Sequence, residues 1–390
     1  MKILFLSNWY PYPPRNGSEL RVYNLLRGLG QYHDISLISF AEIGGCTSPP
    51  PELERICKKV HVVQKRSYNP RRLRALMGLF SPTPRVLVDR YVPAMADRIE
   101  AEIQIGGYDL LIASQWYMAS YYQGQIPAIF EEAEVGVFVN KRANAPSALH
   151  KIRRGLTSTK LKYYLRRLMF RFRSCTVVSE EERSLLKNIV PGYDHIEVIP
   201  NGVNLSDYEA IGEKPETDSL IFTGSFKYRP NYEAMLWFVR EVYPRVAAEV
   251  PGVQLVITGD NANLPFPKGN NIHLTGFVDD VRPLIASAWI SLAPLWYGGG
   301  TRLKILEAMA LRTPVIATSK GAEGLEVRNG EHLFMADSPE DFANMTVRLL
   351  KEPGLRKQLV ANAYELVCEK YDWRVIMPKL LDLVERSARS

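Results

Sequence analysis

At 390 residues the chain is long for one domain and comfortable for two, and its 46% apolar and 23% charged content is that of a folded globular protein with no low-complexity tract. The net charge of +7 is lopsided: residues 1–200 carry 28 Lys and Arg against 18 Asp and Glu, residues 201–390 carry 21 against 24. No run of eighteen uninterrupted apolar residues is present to span a bilayer, and the four scattered cysteines (Cys46, Cys57, Cys175, Cys368) lack CxxC spacing, which points away from zinc and disulfides and toward a reducing cytoplasm.

Along the chain, apolar β-like runs alternate with helical patterns, the signature of parallel α/β architecture. Ile3–Ser7 reads as a buried first strand and is too short for a signal-peptide core. Asn16-Gly17-Ser18-Glu19 then opens a helical pattern over Ser18–Leu29. Gly17 and Glu19 stand at the first strand-to-helix turn, where a loop can approach a phosphate or sugar; the plainer reading is a turn capped by Ser18. Further strands are expected at Ile35–Phe40, Val60–Val63, Asp109–Ala113 (with Ser114 and Gln115 at its end), Pro127–Phe130, Cys175–Val178 and Ile196–Ile199. The first strand is not followed by GxGxxG, and GxxxxGK[ST] occurs nowhere, which disfavours nicotinamide and flavin enzymes and removes the P-loop reading.

The long helical pattern Leu149–Phe172 lies in a stretch, Lys141–Arg173, that holds eleven Lys or Arg and no Asp or Glu. With apolar Leu156, Leu161, Tyr164, Leu165, Leu168 and Phe172 interleaved, it is expected to sit on anionic lipid or another polyanion. Nucleic acid is disfavoured, because no recognition motif accompanies the charge.

Residues 200–219 are polar and turn-rich and read as an interdomain linker. The alternation then restarts with strands at Leu220–Thr223, Leu255–Thr258, Ile272–Thr275, Ile290–Ala293 and Val315–Thr318, with helices at Asn231–Ala247, Val281–Ala286 and Arg302–Leu311 and two more at the C-terminus. Gly224 ends the first of these strands, and Lys227 and Arg229 follow it as candidate diphosphate ligands. Phe277 and Val278 are placed to flank a base, while Asp279 or Asp280 caps the next helix. The most informative stretch runs from Tyr297 to Ala317: Gly298, Gly299, Gly300 and Thr301 lead from a strand into a helix, an arrangement that turns free N–H groups and a helix N-terminus toward an anion. Lys304 and Glu307 share a face of that helix. A carboxylate behind an anion hole is a poor phosphate ligand and a good acceptor for paired sugar hydroxyls, so the segment suggests a nucleotide-sugar site. The six histidines show no paired metal spacing, and no Asp-x-Asp is well placed at a strand end, so no metal site is expected.

These residues carry a family resemblance. Val198-Ile199-Pro200-Asn201-Gly202-Val203, Phe222-Thr223-Gly224-Ser225, Thr275 through Arg282, Gly298 through Ala310 and Gly321-Ala322-Glu323-Gly324-Leu325 resemble the GT-B glycosyltransferases of family 4; Asn16–Glu19 and Val178-Ser179-Glu180 match more loosely. The resemblance implies an α/β chain with two doubly wound Rossmann-like domains facing a central cleft. Residues 1–200 would bind acceptor, 201–218 link, and 219–370 bind donor, with the terminal helix 371–390 returning to the first domain. It implies a retaining, metal-independent transferase (EC 2.4, hexosyl type); the cysteine usage places it in the cytoplasm, and the basic first domain suggests peripheral contact with an anionic membrane. Such an enzyme needs no cofactor and moves sugar from a UDP- or GDP-sugar to a hydroxyl of a glycan, lipid-linked or small-molecule acceptor, as in cell-envelope polysaccharide synthesis.

Carried over residue by residue, Glu307, Arg302 and Lys304 would serve catalysis. Gly224, Lys227, Arg229, Phe277, Val278, Gly299, Gly300, Thr301 and Glu307 would bind donor, and Gly17, Glu19, Ser114 and Gln115 would face acceptor. Three departures stand out. Gly299 occupies the place of the Glu that contacts the donor sugar, Ser225 and Pro230 replace the usual diphosphate-binding Arg and Lys, and Ser114-Gln115 stands where the first domain usually has a His. A sugar-nucleotide epimerase and a non-catalytic nucleotide-sugar sensor are the alternatives.

Overall fold

The computed structural model describes residues 1–41, 49–132, 135–136, 148–212, 216–299 and 302–389; for 148–154 and 156 it describes backbone alone. The chain divides into two compact units, Met1–Pro200 with Met377–Ser390, and Asn201–Ile376.

The first unit holds seven parallel strands: β1 (Lys2–Ser7), β2 (Asp34–Ala41), β3 (Lys59–Gln64), β4 (Leu110–Ser114), β5 (Ala128–Glu131), β6 (Ser174–Val177) and β7 (Ile196–Val198), in the order β3-β2-β1-β4-β5-β6-β7. Ile3 pairs in register with Ile35 on one side and Leu110 on the other. Because helices cover both faces, the inner strands are apolar almost throughout, which is why they are readable as continuous runs. The strand order reverses between β1 and β4.

The second unit is built on β8 (Ser219–Thr223), β9 (Gln254–Thr258), β10 (Ile272–Gly276), β11 (Ile290–Ala293), β12 (Val315–Ala317) and β13 (Phe334–Met335), all parallel, in the order β10-β9-β8-β11-β12-β13. Successive residues point to opposite faces. Leu220 and Phe222 enter one core with Leu255, Ile257 and Leu292, whereas Ile221 enters the other with Ala293, Val315 and Ala317. Here the order reverses between β8 and β11. The two-residue strand β13 is too short to register as a pattern and was not anticipated.

Three expectations change. The stretch read as a linker contributes Val203, Leu205 and Tyr208 to the second unit's core. Val203 donates to the Tyr371 carbonyl (2.8 Å) and accepts from the Trp373 N–H (3.0 Å), so the chain is tied down at once after Pro200. Three helices, not two, close the chain: Pro339–Lys351, Pro353–Leu366 and Trp373–Arg389. From Met377 onward the last of them belongs to the first unit, where the Ser387 hydroxyl meets that of Ser174 at 2.8 Å and Arg386 pairs with Glu197 at 3.2 Å.

The third change concerns the basic segment. Lys141 and Arg142 lie outside the described residues, and the helix spans Ala148–Met169. Leu161, Leu165 and Leu168 recur at helical spacing and are buried in the first core. Several of the cations expected to face lipid donate to main-chain carbonyls instead: Arg166 to Ile189 (2.7 Å), Arg171 to Tyr122 (3.2 Å), Arg173 to Ser387 (3.0 Å) and Lys160 to Gly78 (2.6 Å). Lys160 and Arg166 on this helix, and Arg171 and Arg173 just after it, therefore staple neighbouring segments. Substituting Arg166 and Arg171 by Gln is expected to lower the melting temperature by several degrees, each lost charged hydrogen bond being worth about 1.5–3 kcal/mol at most. An unchanged thermal transition would contradict that role.

Candidate active site

In open α/β sheets the place where strand order reverses leaves a crevice at the carboxyl ends of the strands. In the second unit it lies between the loops that follow β8 and β11. Gly224 ends β8 at φ +147°, a conformation that side chains rarely adopt; a Cβ there would stand 2.6 Å from the Asn231 amide nitrogen and 3.1 Å from the Lys304 ammonium. Glycine is thus required both by the backbone and by the close approach of Lys304. The same holds at Gly298 (φ +110°), where a Cβ would stand 2.4 Å from the Tyr228 hydroxyl.

The helix Leu303–Ala310 enters this crevice. Ile305, Leu306, Ala308 and Met309 bury its inner face, and it stops at Leu311 because Arg312 takes a left-handed φ of +58° ahead of Thr313-Pro314, where proline disfavours helix in the residue before it. Its open face presents Lys304 and Glu307. Lys304 donates to Asn231 Oδ1 (3.2 Å) and lies over the Phe222 ring, 4.0 Å from its centre. Glu307 accepts from the Tyr208 hydroxyl at 3.3 Å. Tyr208 is in turn covered by Arg282, 5.9 Å from its ring, and Arg282 is fixed by a two-point pair with Asp280 at 2.8 Å on each arm.

Both charged groups keep part of their surface open, yet protein packs closely round them. Burial pushes the Glu307 carboxyl up to about 7, against the Tyr208 hydrogen bond and the Lys304 charge, which pull it down. Burial likewise pushes Lys304 down to about 7, helped by Arg302 and opposed by Glu307. Burial and the neighbouring Glu307 raise the Tyr208 phenol, so it remains a hydrogen-bond donor.

Other anticipated residues lie elsewhere or are already engaged. Arg302 is buried and donates to the carbonyls of Gly299 (3.1 Å), Gly298 (3.1 Å) and Lys320 (3.3 Å), so it shapes the glycine loop rather than presenting its guanidinium to a phosphate. Gly300 and Thr301 lie outside the described residues. Lys227 pairs with Asp260 and Arg229 with Glu233, both on the surface; Glu233 also accepts from the Tyr297 hydroxyl (2.8 Å), which ties Arg229 to the rim of the glycine loop. Phe277 and Val278 follow the edge strand β10, Phe277 being 67% exposed; just before them the Gly276 carbonyl accepts from the N–H of Gly259 (2.8 Å), which packs against the Gly224 backbone. Asp280 accepts the Arg282 N–H at 3.0 Å, at the start of the helix Arg282–Ser287. Asn231 and Tyr208 escaped the sequence reading: one is a polar residue in the first turn of a helix, the other lay in the supposed linker.

In the first unit the corresponding reversal lies between β1 and β4. Gln115 sits there at φ +66°. Its side-chain oxygen accepts from Asn8 (3.1 Å) and from the Trp9 indole (2.8 Å), and its amide donates to Glu132 (3.2 Å). Ser114 is fully buried and donates to Glu131 at 2.7 Å. Gly17 opens the helix Gly17–Leu29, capped by Asn16 rather than Ser18. The Glu19 carboxylate bonds back to the Arg15 N–H (2.7 Å) while its own N–H donates to Asn16 (3.1 Å), a variant of the capping box. Of the four acceptor-side residues, Ser114 and Gln115 belong to polar clusters at the strand ends, Ser114 in the buried one with Glu131 and Gln115 in the one with Asn8, Trp9 and Glu132.

Comparison with known proteins places this geometry. A model described as "Glycosyl transferases group 1" matches residues 217–352, and one described as "Glycosyltransferase Family 4" matches residues 15–207. An uncharacterised 44.6 kDa protein of the cps region of Klebsiella pneumoniae is 23% identical over 97% of this chain and 98% of its own length. The phosphatidyl-myo-inositol mannosyltransferase of Mycobacterium leprae is 32% identical over 51% of this chain, which spans 55% of that enzyme. Among solved structures, sucrose-phosphate synthase from Thermosynechococcus elongatus superposes with a TM-score of 0.72 at 18% identity over 99% of each chain. Anabaena HepE in complex with UDP and glucose gives 0.68 at 15% identity, over 99% of this chain and 100% of that one. The chain belongs to family 4 of the GT-B glycosyltransferases and is a transferase of the glycosyl class.

Proposed function

We propose that the protein moves a sugar, with retention of configuration and without a required metal, from a UDP- or GDP-sugar held by the second unit to an acceptor hydroxyl recognised by the first. The observation that carries this reading is the Glu307 carboxylate, steadied by Tyr208 on the same helix face as Lys304, under the glycine at the end of β8. Glu307 accepts the two ribose hydroxyls of the donor. Lys304, half-desolvated and lying against Gly224, meets the diphosphate, on which negative charge grows as the glycosidic bond breaks; a donor aimed at such charge is worth about 3–4 kcal/mol. Gly299 and the neighbouring N–H groups of the loop take over the donor-sugar contact that family members make with Glu. The leaving phosphate itself receives the acceptor proton. HepE, a structural neighbour, has been captured with UDP-glucose, and the neighbour WaaG is described as a glycosyltransferase involved in lipopolysaccharide biosynthesis, which supports a nucleotide-sugar donor and a cell-envelope glycan as product.

A thermal-shift screen of nucleotide-sugars tests the donor. The matching one, at about 100 times its Kd, stabilises the protein by about 2.7 kcal/mol, a shift of several degrees. Identical melting with every UDP- and GDP-sugar would refute the reading, and NMR of the product's anomeric carbon tests retention.

The same two groups set an expected pH profile. Glu307 must be anionic to accept hydroxyls, so activity falls as pH drops through its value of about 7; Lys304 must be cationic, so activity falls as pH rises through its value of about 7. The dependence of kcat/KM on pH is therefore expected to be a narrow bell near neutrality. Bound diphosphate favours the charged ammonium, so the alkaline limb of kcat lies higher than that of kcat/KM. Coincident alkaline limbs would argue against contact between Lys304 and the diphosphate.

A further inference from the structure

Asn231 lies in the first turn of the helix Arg229–Trp237 and is 8% exposed. An asparagine in such a place ordinarily bonds to the end of its own helix. This one reaches out of it on both sides. Its Nδ2 donates to the Ser225 carbonyl (3.0 Å), and its Oδ1 accepts from Lys304 Nζ (3.2 Å). The chemistry fixes the amide's orientation: turned over, it would set two N–H donors against an ammonium and an oxygen against a carbonyl.

The anchor on the loop side is firm. The Ser225 hydroxyl donates to the Asp260 carbonyl (3.2 Å) and accepts from the Lys227 N–H (3.2 Å), and the Phe226 N–H meets the same Asp260 carbonyl at 2.8 Å. The loop after β8 is thereby fastened to the loop after β9, and Asn231 passes that rigidity on to Lys304. The Phe222 ring and the bare backbone of Gly224 bound the ammonium on its other sides. A lysine otherwise carries its charge on a flexible four-carbon stem, and a misplacement of about 1 Å at a reacting group can cost about 10²-fold in rate.

The neutrality of Asn231 is the second half of the device. A carboxylate at this place would grip Lys304 as firmly, but it would cancel the charge and repel a diphosphate. The charged groups that bear on Lys304 are Arg302 and Glu307, beside it on its own segment. The end of β8 touches it with Phe222, Gly224 and Asn231, all neutral, while Lys227 and Arg229 from the same loop and helix pair with Asp260 and Glu233 on the surface. Tyr208 and the Arg282–Asp280 pair reach Glu307 rather than Lys304.

We propose that Asn231 is a positioning residue: with one neutral acceptor it fixes the Lys304 ammonium at the end of β8 and leaves the whole of its charge for the donor's diphosphate. This rests on the role given to Lys304 above. It carries a further consequence. Burial holds Lys304 down to about 7, so the empty site sheds charge as pH rises past neutrality, and an arriving diphosphate draws a proton back.

Calorimetric titration of the full chain with UDP, and with GDP in turn, at pH 8 in two buffers of different ionisation enthalpy tests this. The wild type is expected to take up most of a proton on binding. Asn231→Leu should weaken binding at least about 10-fold, yet change it by less than about 2-fold when added to Lys304→Met, because the side chain acts through Lys304. Asn231→Asp should bind more weakly and take up almost no proton, its carboxylate having kept Lys304 charged beforehand. Should Asn231→Leu fail to fold, Asn231→Asp keeps the test open. An Asn231→Leu variant of wild-type affinity, losses that add in full in the double variant, or proton uptake unchanged in Asn231→Asp would each overturn the proposal while leaving Lys304 on the diphosphate. A Lys304→Met variant of normal affinity would instead remove Lys304 from the diphosphate, and this proposal with it.

Discussion

Glu307→Ala is expected to lower donor affinity by about 10²-fold and kcat/KM by at least as much while the protein still folds. A carboxylate that accepts two hydroxyls makes two charge-assisted hydrogen bonds, each worth about 1.5–3 kcal/mol, and water entering the truncated site restores part of that loss. Stability should change little. Burial already holds the Glu307 carboxyl up to about 7, so its ionised form gains nothing from folding near neutral pH. Isothermal titration with the matching nucleoside diphosphate, beside the thermal transition, separates the two effects. Tyr208→Phe refines the test. It deletes the 3.3 Å hydrogen bond that pulls the Glu307 carboxyl downward, so the acidic limb of the pH profile should move to higher pH with a smaller loss of affinity. A Glu307→Ala enzyme of normal affinity would remove ribose binding from this residue.

What could be read from the chain, and what could not, divides along a physical line. The strands were legible because both faces of each sheet are covered, so β1, β2, β8 and β11 are apolar along their length; the exposed edge strand β10 was found from its β-branched and apolar residues. Glu307 and Lys304 were legible because helical spacing alone puts them on one face. Their partners were not: Tyr208 lies 99 residues from Glu307 and Asn231 lies 73 from Lys304. No local pattern announces a contact at such separation. Charge proved a poor guide to orientation. Arg302, Arg166, Arg171 and Arg173 point at main-chain carbonyls, and Lys227 and Arg229 at carboxylates, since a guanidinium or ammonium takes whichever acceptor the fold brings to it. Glu19, acidic and in the first turn of a helix, is the opposite case: its helix N-terminus claims it.

Arg21→Met should be the most destabilising single change in the first unit, by about 3–5 kcal/mol, because it leaves a carboxylate buried without its charge partner. Arg21 and Glu131 have side chains 0% and 1% exposed and meet at 2.7 Å, and Ser114 adds a 2.7 Å hydrogen bond to the other carboxylate oxygen. The guanidinium also holds the carbonyls of Ile199 (3.0 Å) and Pro200 (3.1 Å), where the first unit ends. At roughly 2–4 °C per kcal/mol for a unit of this size, the melting transition of the first unit falls by about 10 °C. The double change Arg21→Met with Glu131→Leu removes both charges and should recover more than half of that loss, since well-packed apolar residues often replace a buried pair at little penalty. With the donor held by the second unit, as proposed, ligand-induced stabilisation should survive in both variants. Calorimetry that showed the double variant no more stable than the single one would mean that Arg21 acts through the Ile199 and Pro200 carbonyls rather than through Glu131.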